Sequence, residues 1–164
     1  MMLELIAPNA GMYEARLAAH VKWGPGLHED GFGLTPTDDV ETAAGFAQWI
    51  DRLNAAENLC ACRWIVDGGL ILGGIALRLQ DDDFTRQHGH VGYGVRPTAR
   101  GHRVASRAFE GILDLARLKG LTRVLAVCES ENEASARTIE RLGGALEGGS
   151  EASDLRRYWI DLGK

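Results

Sequence analysis

Apolar and polar positions along the chain follow two periods, which predict a protein built from both strands and helices. Apolar residues recur at three- and four-residue steps from Ala105 to Ala116, the most regular helical pattern in the sequence. Shorter runs rich in strand-forming residues predict strands. The predicted order is a strand at 3–6, helices over 12–21 and 46–53, strands at 60–66, 70–79 and 90–95, a helix over 105–116, a strand at 124–127, a helix over 133–142 and a strand at 158–160.

The order of these elements predicts an α/β fold. Asp67-Gly68-Gly69 joins two strand-forming runs and is a strong hairpin signal, so the first strands should pair antiparallel. The strand at 90–95, the helix after it and the strand at 124–127 form a crossover unit, which favours a parallel pair in the middle of the sheet. A chain of 164 residues is the size of one ordinary domain, and we expect residues 1–164 to form it.

Composition and charge narrow the possible functions. The formal net charge of −5 argues against a general nucleic-acid binder, which would carry a basic stripe. The apolar runs fall short of the ~20 residues that a membrane span needs, and the N-terminus has no basic flank before an apolar run. Three cysteines, Cys60, Cys62 and Cys128, favour reduced thiols over a disulfide framework. We therefore expect a cytoplasmic protein that acts on a small molecule or a protein, without nucleic acid or membrane.

The segment from Val95 to Ser106 carries the strongest chemical signal. A strand ends at Pro97, and a tight basic turn then opens the long helix. Unpaired backbone N–H groups and the dipole at a helix start favour a phosphate or diphosphate, and Arg100 and Arg103 add positive charge. A plain joint with solvated arginines explains the residues equally well. Rossmann and P-loop sites are excluded, because Pro97 replaces the third Rossmann glycine and no Gly-x-x-x-x-Gly-Lys-Ser/Thr run occurs.

This segment resembles the diphosphate motif of the GNAT superfamily of N-acetyltransferases, Gln/Arg-x-x-Gly-x-Gly/Ala after a strand ending in Val-x-Pro. Val95-Arg96-Pro97, Arg100 and Val104-Ala105 match that motif. Arg103 replaces a glycine that lets the diphosphate approach the backbone closely. We expect helical dihedral angles at Arg103, which an arginine adopts without strain.

A second segment resembles the same superfamily. Asn132-Glu133-Ala134-Ser135, followed by Leu142-Gly143-Gly144, is similar to its Asn-x-x-Ser/Ala helix. From the residues alone, Asn132 is equally a helix N-cap and Gly143 a helix stop. Residues 89–97 and 156–162 look like a bacterial branch of predicted acetyltransferases in the superfamily. The resemblance covers residues 60–164 well and residues 1–59 only in broad pattern.

The resemblance implies a GNAT-like mixed sheet, antiparallel in its first strands, with a splayed parallel pair in the middle and about four flanking helices. It also implies acetyl-CoA as cosubstrate, no metal, and a homodimer by family habit. By the same resemblance, Asn132 is expected to contact the pantetheine arm of the cosubstrate, and a backbone N–H of residues 93–95 is expected to face the thioester oxygen. The residues implied to bind the cosubstrate are Tyr93, Gly94, Val95, Arg100, Gly101, His102, Arg103, Val104, Ala105, Ser106, Asn132 and Ser135.

The function implied is transfer of an acetyl group from acetyl-CoA to a primary amine of a small molecule or peptide, by direct attack of the amine. The alternative is a non-catalytic CoA-binding or regulatory module. This alternative arises because Arg103 and Ile139 stand where the superfamily expects a glycine and a tyrosine.

Two residues are candidates for the proton transfers. His90 is a candidate base, because imidazole titrates near neutral pH and its strand runs into the basic turn; a structural histidine is the alternative. Tyr158 is a candidate acid in place of the tyrosine that Ile139 replaces, although aromatic packing explains it too. His88 is expected to share a strand face with His90. The two histidines lack a convincing third metal ligand, so we expect no metal.

An acceptor pocket is predicted near the long irregular segment between Trp23 and Asp39. Trp23, Trp49 and the pair Asp38-Asp39 are candidates to line it, because acidic groups attract an amine. Core and surface roles explain each of these residues singly. Cys128 has the chemistry for an acyl-enzyme, but its place at the end of an apolar strand favours burial.

Overall fold

Seven strands form two antiparallel sheets in the computed structural model of the chain, which describes residues 1–24, 31–148 and 153–163. The first sheet has the strand order β1-β2-β3-β4 and the second has the order β5-β7-β6. The strands are β1 Leu3–Ile6, β2 Cys60–Asp67, β3 Leu70–Arg78, β4 Val91–Val95, β5 Arg123–Glu129, β6 Ala145–Leu146 and β7 Leu155–Asp161. The helices are α1 Tyr13–Trp23, α2 Ala43–Ala55, α3 Asp83–His88, α4 Val104–Leu118 and α5 Glu133–Arg141.

Both faces of the first sheet are buried, which explains why β2 and β3 read as nearly continuous apolar runs. Side chains of a strand point alternately to its two faces. In β2, Ala61 and Ile65 therefore join a core shared with α4, whereas Cys62, Trp64 and Val66 join a second core shared with α1 and α2. The sheet thus lies between two helical layers.

The long helix α4 is confirmed, and its apolar stripe holds it against the first sheet. The stripe follows the helical period, so one face of the helix can be buried along its whole length. Burying each of these side chains contributes roughly 1 to 3 kcal/mol to folding. Because this face is fixed on the sheet, the start of α4 is fixed beside the end of β4. The buried residues are Val104, Ala108, Phe109, Ile112, Leu113 and Ala116.

The predicted parallel pair between β4 and β5 is not confirmed, because every ladder among the described residues is antiparallel. β4 pairs with β3, and β5 pairs with β7. Before β4 begins, Gly89 forms an isolated bridge with Ala126, and the His90 N–H donates to the Leu125 oxygen at 2.8 Å. No ladder continues from there among the described residues. The order of elements places β4 and β5 side by side, but it does not determine their hydrogen bonding.

The helix α3 was not predicted, and it raises the number of α-helices in the described part of the chain to five. The polar run Asp81-Asp82-Asp83 leads into this helix, which begins at Asp83. Asp82 caps it by accepting a hydrogen bond from the Thr85 N–H at 2.8 Å, and negative charge at a helix start is favourable. His88 ends the helix, so the prediction that it shares a strand face with His90 is wrong.

Three further expectations concern the cysteines, membrane-spanning helices and the irregular segment. Cys60, Cys62 and Cys128 are all free thiols, with Cys62 and Cys128 buried. None of the helices in the described ranges combines the length and apolar character required to cross a membrane. Residues 25–30, in the predicted irregular segment, lie outside the described residues.

Candidate functional site

A cavity of about 610 Å³ lies between the end of β4, the start of α4 and one face of α5. All of the residues implied to bind a cosubstrate line this cavity except His102, although they come from two segments of the sequence. His102 instead turns its Nδ1 towards the Arg100 oxygen, at 3.0 Å. The lining residues are Tyr93, Gly94, Val95, Ala99, Arg100, Gly101, Arg103, Val104, Ala105, Ser106, Asn132, Ala134, Ser135, Arg137, Thr138 and Arg141.

The start of α4 presents a series of unpaired donors to this cavity. The backbone N–H groups of residues 101–106 have no hydrogen-bond acceptor within the described ranges. Gly101 and Arg103 both have left-handed dihedral angles, with φ of 83° and 59°. Successive N–H groups in such a turn converge into an anion-binding concavity, and the helix dipole adds to its positive potential.

Arg103 departs from the helical geometry expected for it. With φ 59° and ψ 21°, it is the N-cap of α4 and the one non-glycine residue with positive φ among those the structure describes. This conformation is readily adopted by glycine and is strained for residues with a Cβ atom. The turn therefore requires a left-handed residue here, and arginine adopts that conformation at a cost.

The charge of the cavity is opposite to that of the whole chain. Its lining contains Arg100, Arg103, Arg137 and Arg141 but no carboxylate, although the chain has a net charge of −5. Arg100 donates from Nε to the Val95 oxygen at 3.0 Å, which ties the turn to the end of β4. This concentration of positive charge favours an anionic ligand.

The hydrogen-bond register of β4 decides which backbone groups face away from the first sheet. The Arg96 N–H donates to the oxygen of Leu72 in β3 at 2.8 Å. In an antiparallel ladder, hydrogen-bonded pairs alternate with non-hydrogen-bonded pairs, so Gly94 also bonds to β3. Tyr93 and Val95 consequently direct their N–H and C=O groups away from β3. Of the N–H groups of residues 93–95, only those of Tyr93 and Val95 can reach a ligand between the sheets.

Two hydroxyl groups meet at the wall of the cavity. The Tyr93 hydroxyl donates to Ser135 Oγ at 2.7 Å, and the Tyr93 ring packs edge-on against Phe109. Burial raises the pKa of Tyr93, and its hydrogen bond with Ser135 offsets part of that rise. The phenol therefore stays protonated near neutral pH. Because Ser135 accepts this bond, its own hydroxyl hydrogen is directed elsewhere.

Asn132 caps α5, which is one of the two roles considered for it from the sequence, and its amide nitrogen is left for the other. Its Oδ1 accepts a hydrogen bond from the Ser135 N–H at 3.1 Å, which caps α5. Its amide Nδ2 makes no hydrogen bond to any residue that the structure describes, and the residue lines the cavity. One side chain therefore fixes the helix start and still offers two N–H donors.

His90, the candidate base, lies outside the cavity lining. Its Nδ1 accepts a hydrogen bond from the Leu125 N–H at 2.8 Å, so the neutral ring carries its proton on Nε2. Neither ring nitrogen then has a free lone pair to take a proton from an amine. Burial lowers the pKa of His90, which favours this neutral form. These contacts favour the structural alternative over the catalytic one.

Tyr158, the candidate acid, is also outside the cavity lining. Its buried hydroxyl donates to Glu140 Oε1 at 2.9 Å, and burial together with this carboxylate raises the pKa of the phenol. Ile139 is buried in the core that α4 shares with the first sheet. His88 stacks on Phe84, and the described residues contain no cluster of three or more potential metal ligands.

The candidates for an acceptor pocket have structural roles. Trp23 and Trp49 are buried in the second core. The Asp38 carboxylate accepts hydrogen bonds from the Thr35 N–H and from Arg52, at 2.7 and 2.5 Å. Asp39 accepts a bond from the Thr42 hydroxyl at the start of α2.

Comparison with known proteins agrees with this geometry. A family model described as an acetyltransferase (GNAT) domain matches residues 13–145, which span the cavity. The chain belongs to the GNAT acetyltransferase family. A search of curated proteins gives no match.

Solved structures of GNAT proteins share the fold. An acetyltransferase from Salmonella typhimurium that modifies the N-terminal serine of ribosomal protein L7/L12 is 16% identical with a TM-score of 0.69, over 98% of this chain and 95% of that one. RimL in complex with coenzyme A is 16% identical with a TM-score of 0.73, over 98% and 94%. The microcin C7 self-immunity acetyltransferase MccE, in complex with acetyl-CoA and AMP, is 15% identical with a TM-score of 0.69, over 97% and 92%.

Sequence reasoning missed the contribution of α5 beyond Ser135. Ala134, Thr138 and Arg141 follow one another at three- and four-residue steps, and Arg137 lies beside them on the same helical face. Helical spacing from the Asn-x-x-Ser motif was the signal that would have identified them. Arg137 and Arg141 add two cations to the cavity lining from α5.

Proposed function

We propose that this GNAT protein is an N-acetyltransferase that transfers an acetyl group from acetyl-CoA to a primary amine of a small molecule or peptide. The observation that carries the proposal is the start of α4, where the unpaired N–H groups of residues 101–106 and an arginine-lined cavity coincide. Such a donor set matches a diphosphate, which accepts several hydrogen bonds and carries negative charge.

The residues present fit acetyl-CoA. The N–H groups of residues 101–106, with Arg100 and Arg103, hold the diphosphate, and the Asn132 amide bonds the pantetheine arm. Acetyl-CoA supplies an activated acetyl thioester, which a neutral amine can attack directly. Family membership and the CoA and acetyl-CoA complexes of structural neighbours support this assignment.

The chain contributes two further groups to the transfer. The outward N–H of Tyr93 or Val95 donates to the thioester oxygen, where negative charge develops when the amine attacks. Ser135, whose Oγ is already held by the Tyr93 hydroxyl, donates its hydrogen to the departing sulfur, so that CoA leaves as a thiol. The Tyr93 hydrogen moves to Ser135 Oγ, and the proton lost by the attacking amine returns to Tyr93 through water. The Tyr93–Ser135 pair thus takes the role of the tyrosine that Ile139 replaces.

The acceptor is a primary amine at a peptide N-terminus or on a small molecule. One structural neighbour modifies the N-terminal serine of a ribosomal protein, and another is an immunity acetyltransferase bound to acetyl-CoA and AMP. These neighbours support acceptors of both kinds.

The test combines binding with turnover. Calorimetry measures the dissociation constant of CoA, and a thiol-release assay measures turnover of acetyl-CoA with a panel of peptide and small-molecule amines. Ser106→Asp places a negative charge in the first turn of α4, which stabilises the helix while repelling a diphosphate. We expect the CoA affinity of this variant to fall at least about tenfold. The control is Ser106→Asn, whose side chain has the shape of aspartate without its charge, and this variant should retain the affinity. Absence of CoA binding by the wild type at millimolar concentration rejects the proposal.

A non-catalytic CoA-binding module is the second candidate. It is favoured by the burial of Ile139 at the family tyrosine position and by a cavity lining without carboxylate or imidazole among the described residues. Saturable CoA binding without turnover of any amine in the panel would support this alternative. Turnover that falls on Ser135→Ala substitution would reject it.

A further inference from the structure

We propose that Arg137 and Arg141 form a subsite for the 3′-phosphate of the CoA ribose, an inference that rests on the proposed function. Both arginines line the cavity from α5, one turn apart on the same helical face. Guanidinium groups suit this ligand, because their planar set of donors matches phosphate oxygens.

The distribution of cations in the cavity favours two separate phosphate subsites. The α4 wall already offers the N–H groups of residues 101–106 together with Arg100 and Arg103. Arg137 and Arg141 belong to a different element, the helix α5. CoA carries its negative charge in two places, the diphosphate and the ribose 3′-monophosphate. A second pair of cations on a second wall matches this division.

The acidic residues of α5 make their hydrogen bonds with other partners, although Glu133 also interacts electrostatically with Arg137. Glu133 is bonded to Arg156 at 2.5 Å, and Glu140 accepts the hydroxyl of Tyr158 at 2.9 Å. Neither Arg137 nor Arg141 forms an ion pair with any described residue. Their charge is thus available to a ligand, in a cavity that has no carboxylate in its lining.

The experiment compares CoA with dephospho-CoA, which lacks only the 3′-phosphate. Calorimetry at fixed ionic strength gives both dissociation constants for the wild type, for the double variant Arg137→Gln/Arg141→Gln and for Arg107→Gln. Arg107 is exposed on α4 and bonds to the Met1 oxygen outside the cavity, so its variant controls for the loss of a positive charge. We expect the wild type to prefer CoA by about 10- to 100-fold. The double variant should bind both ligands alike, because it loses more affinity for CoA than for dephospho-CoA, and Arg107→Gln should keep the wild-type preference.

Several other results would contradict the proposed 3′-phosphate subsite. Equal binding of the two ligands by the wild type would leave CoA binding intact and reject a role for the 3′-phosphate. If the double variant loses the same factor of affinity for CoA and for dephospho-CoA, the arginines act on the diphosphate or through the overall positive potential of the cavity. If the double variant does not fold, Arg141→Gln alone should still lower the preference for CoA, and an unchanged preference rejects the subsite. A wild type that binds neither ligand rejects the proposed function itself.

Discussion

The left-handed conformation of Arg103 leads to a counterintuitive prediction, that replacing this cavity residue with glycine stabilises the fold. At φ 59° and ψ 21°, a residue with a Cβ atom is disfavoured by about 1–2 kcal/mol, and glycine removes that penalty. Glycine also makes the unfolded chain more flexible, which costs about 0.4–1 kcal/mol. The midpoints of these ranges give a net gain for Arg103→Gly of about 0.8 kcal/mol, or an increase in melting temperature of about 2–3 °C for a chain of this length.

Urea denaturation followed by tryptophan fluorescence measures this gain, provided that the slope of the transition is unchanged. Arg107→Gly is the matched control, because residue 107 lies inside α4, where glycine should destabilise by roughly 0.5–1 kcal/mol. Arg103→Ala removes the same side chain but keeps the strained backbone, so its stability should stay close to that of the wild type. Destabilisation of Arg103→Gly to the same extent as Arg107→Gly would refute the left-handed assignment.

Three further predictions follow from single contacts. Asn132→Ala should lose about 1 kcal/mol of stability with the helix cap, whereas Asn132→Asp keeps the cap and its stability but binds CoA more weakly; equal stability losses in the two variants would contradict this separation of roles. Tyr93→Phe and Ser135→Ala should each lower kcat for thiol release by at least about tenfold with little change in CoA affinity, and unchanged kcat in both would remove the pair from the mechanism. Burial lowers the pKa of His90 in the folded state, so the unfolded chain binds a proton on His90 more tightly than the folded chain does. The free energy of unfolding should therefore fall as the pH drops below the pKa of about 6.5 that histidine has in the unfolded chain. Urea midpoints at pH 7.5 and 5.5 should differ less in His90→Gln than in the wild type, and an unaltered difference in His90→Gln would contradict the assignment.

Most of the cavity could be predicted from the sequence because its donors belong to local motifs. The turn from Val95 to Ser106 is a strand end, a proline and a helix start, and each of these is determined by nearby residues. The Asn132 cap is likewise a contact over three residues. Such features depend on local conformation, and the same local conformation presents the backbone N–H groups to a ligand.

The residues proposed for proton transfer could not be predicted in the same way. His90 had the right chemistry, but the N–H of Leu125, on a strand distant in sequence, occupies its ring nitrogen. Tyr158 is buried against Glu140, while Tyr93, considered only for its backbone, places its hydroxyl on Ser135. Each outcome depends on which side chain meets which partner across the sheet, and this has no local signal.

The amino-acid sequence by itself determined the order of the main elements, the turn at which α4 begins and the motif that resembles the GNAT family. These features arise from periodicity and from contacts within a few residues. Tertiary structure alone decided that β4 and β5 form no parallel ladder, that Arg103 is left-handed and that α4 and α5 line one cavity. The physical reason is that hydrogen-bond register, backbone strain and the facing of two helices are set by packing between distant segments, which the periods of the sequence do not encode.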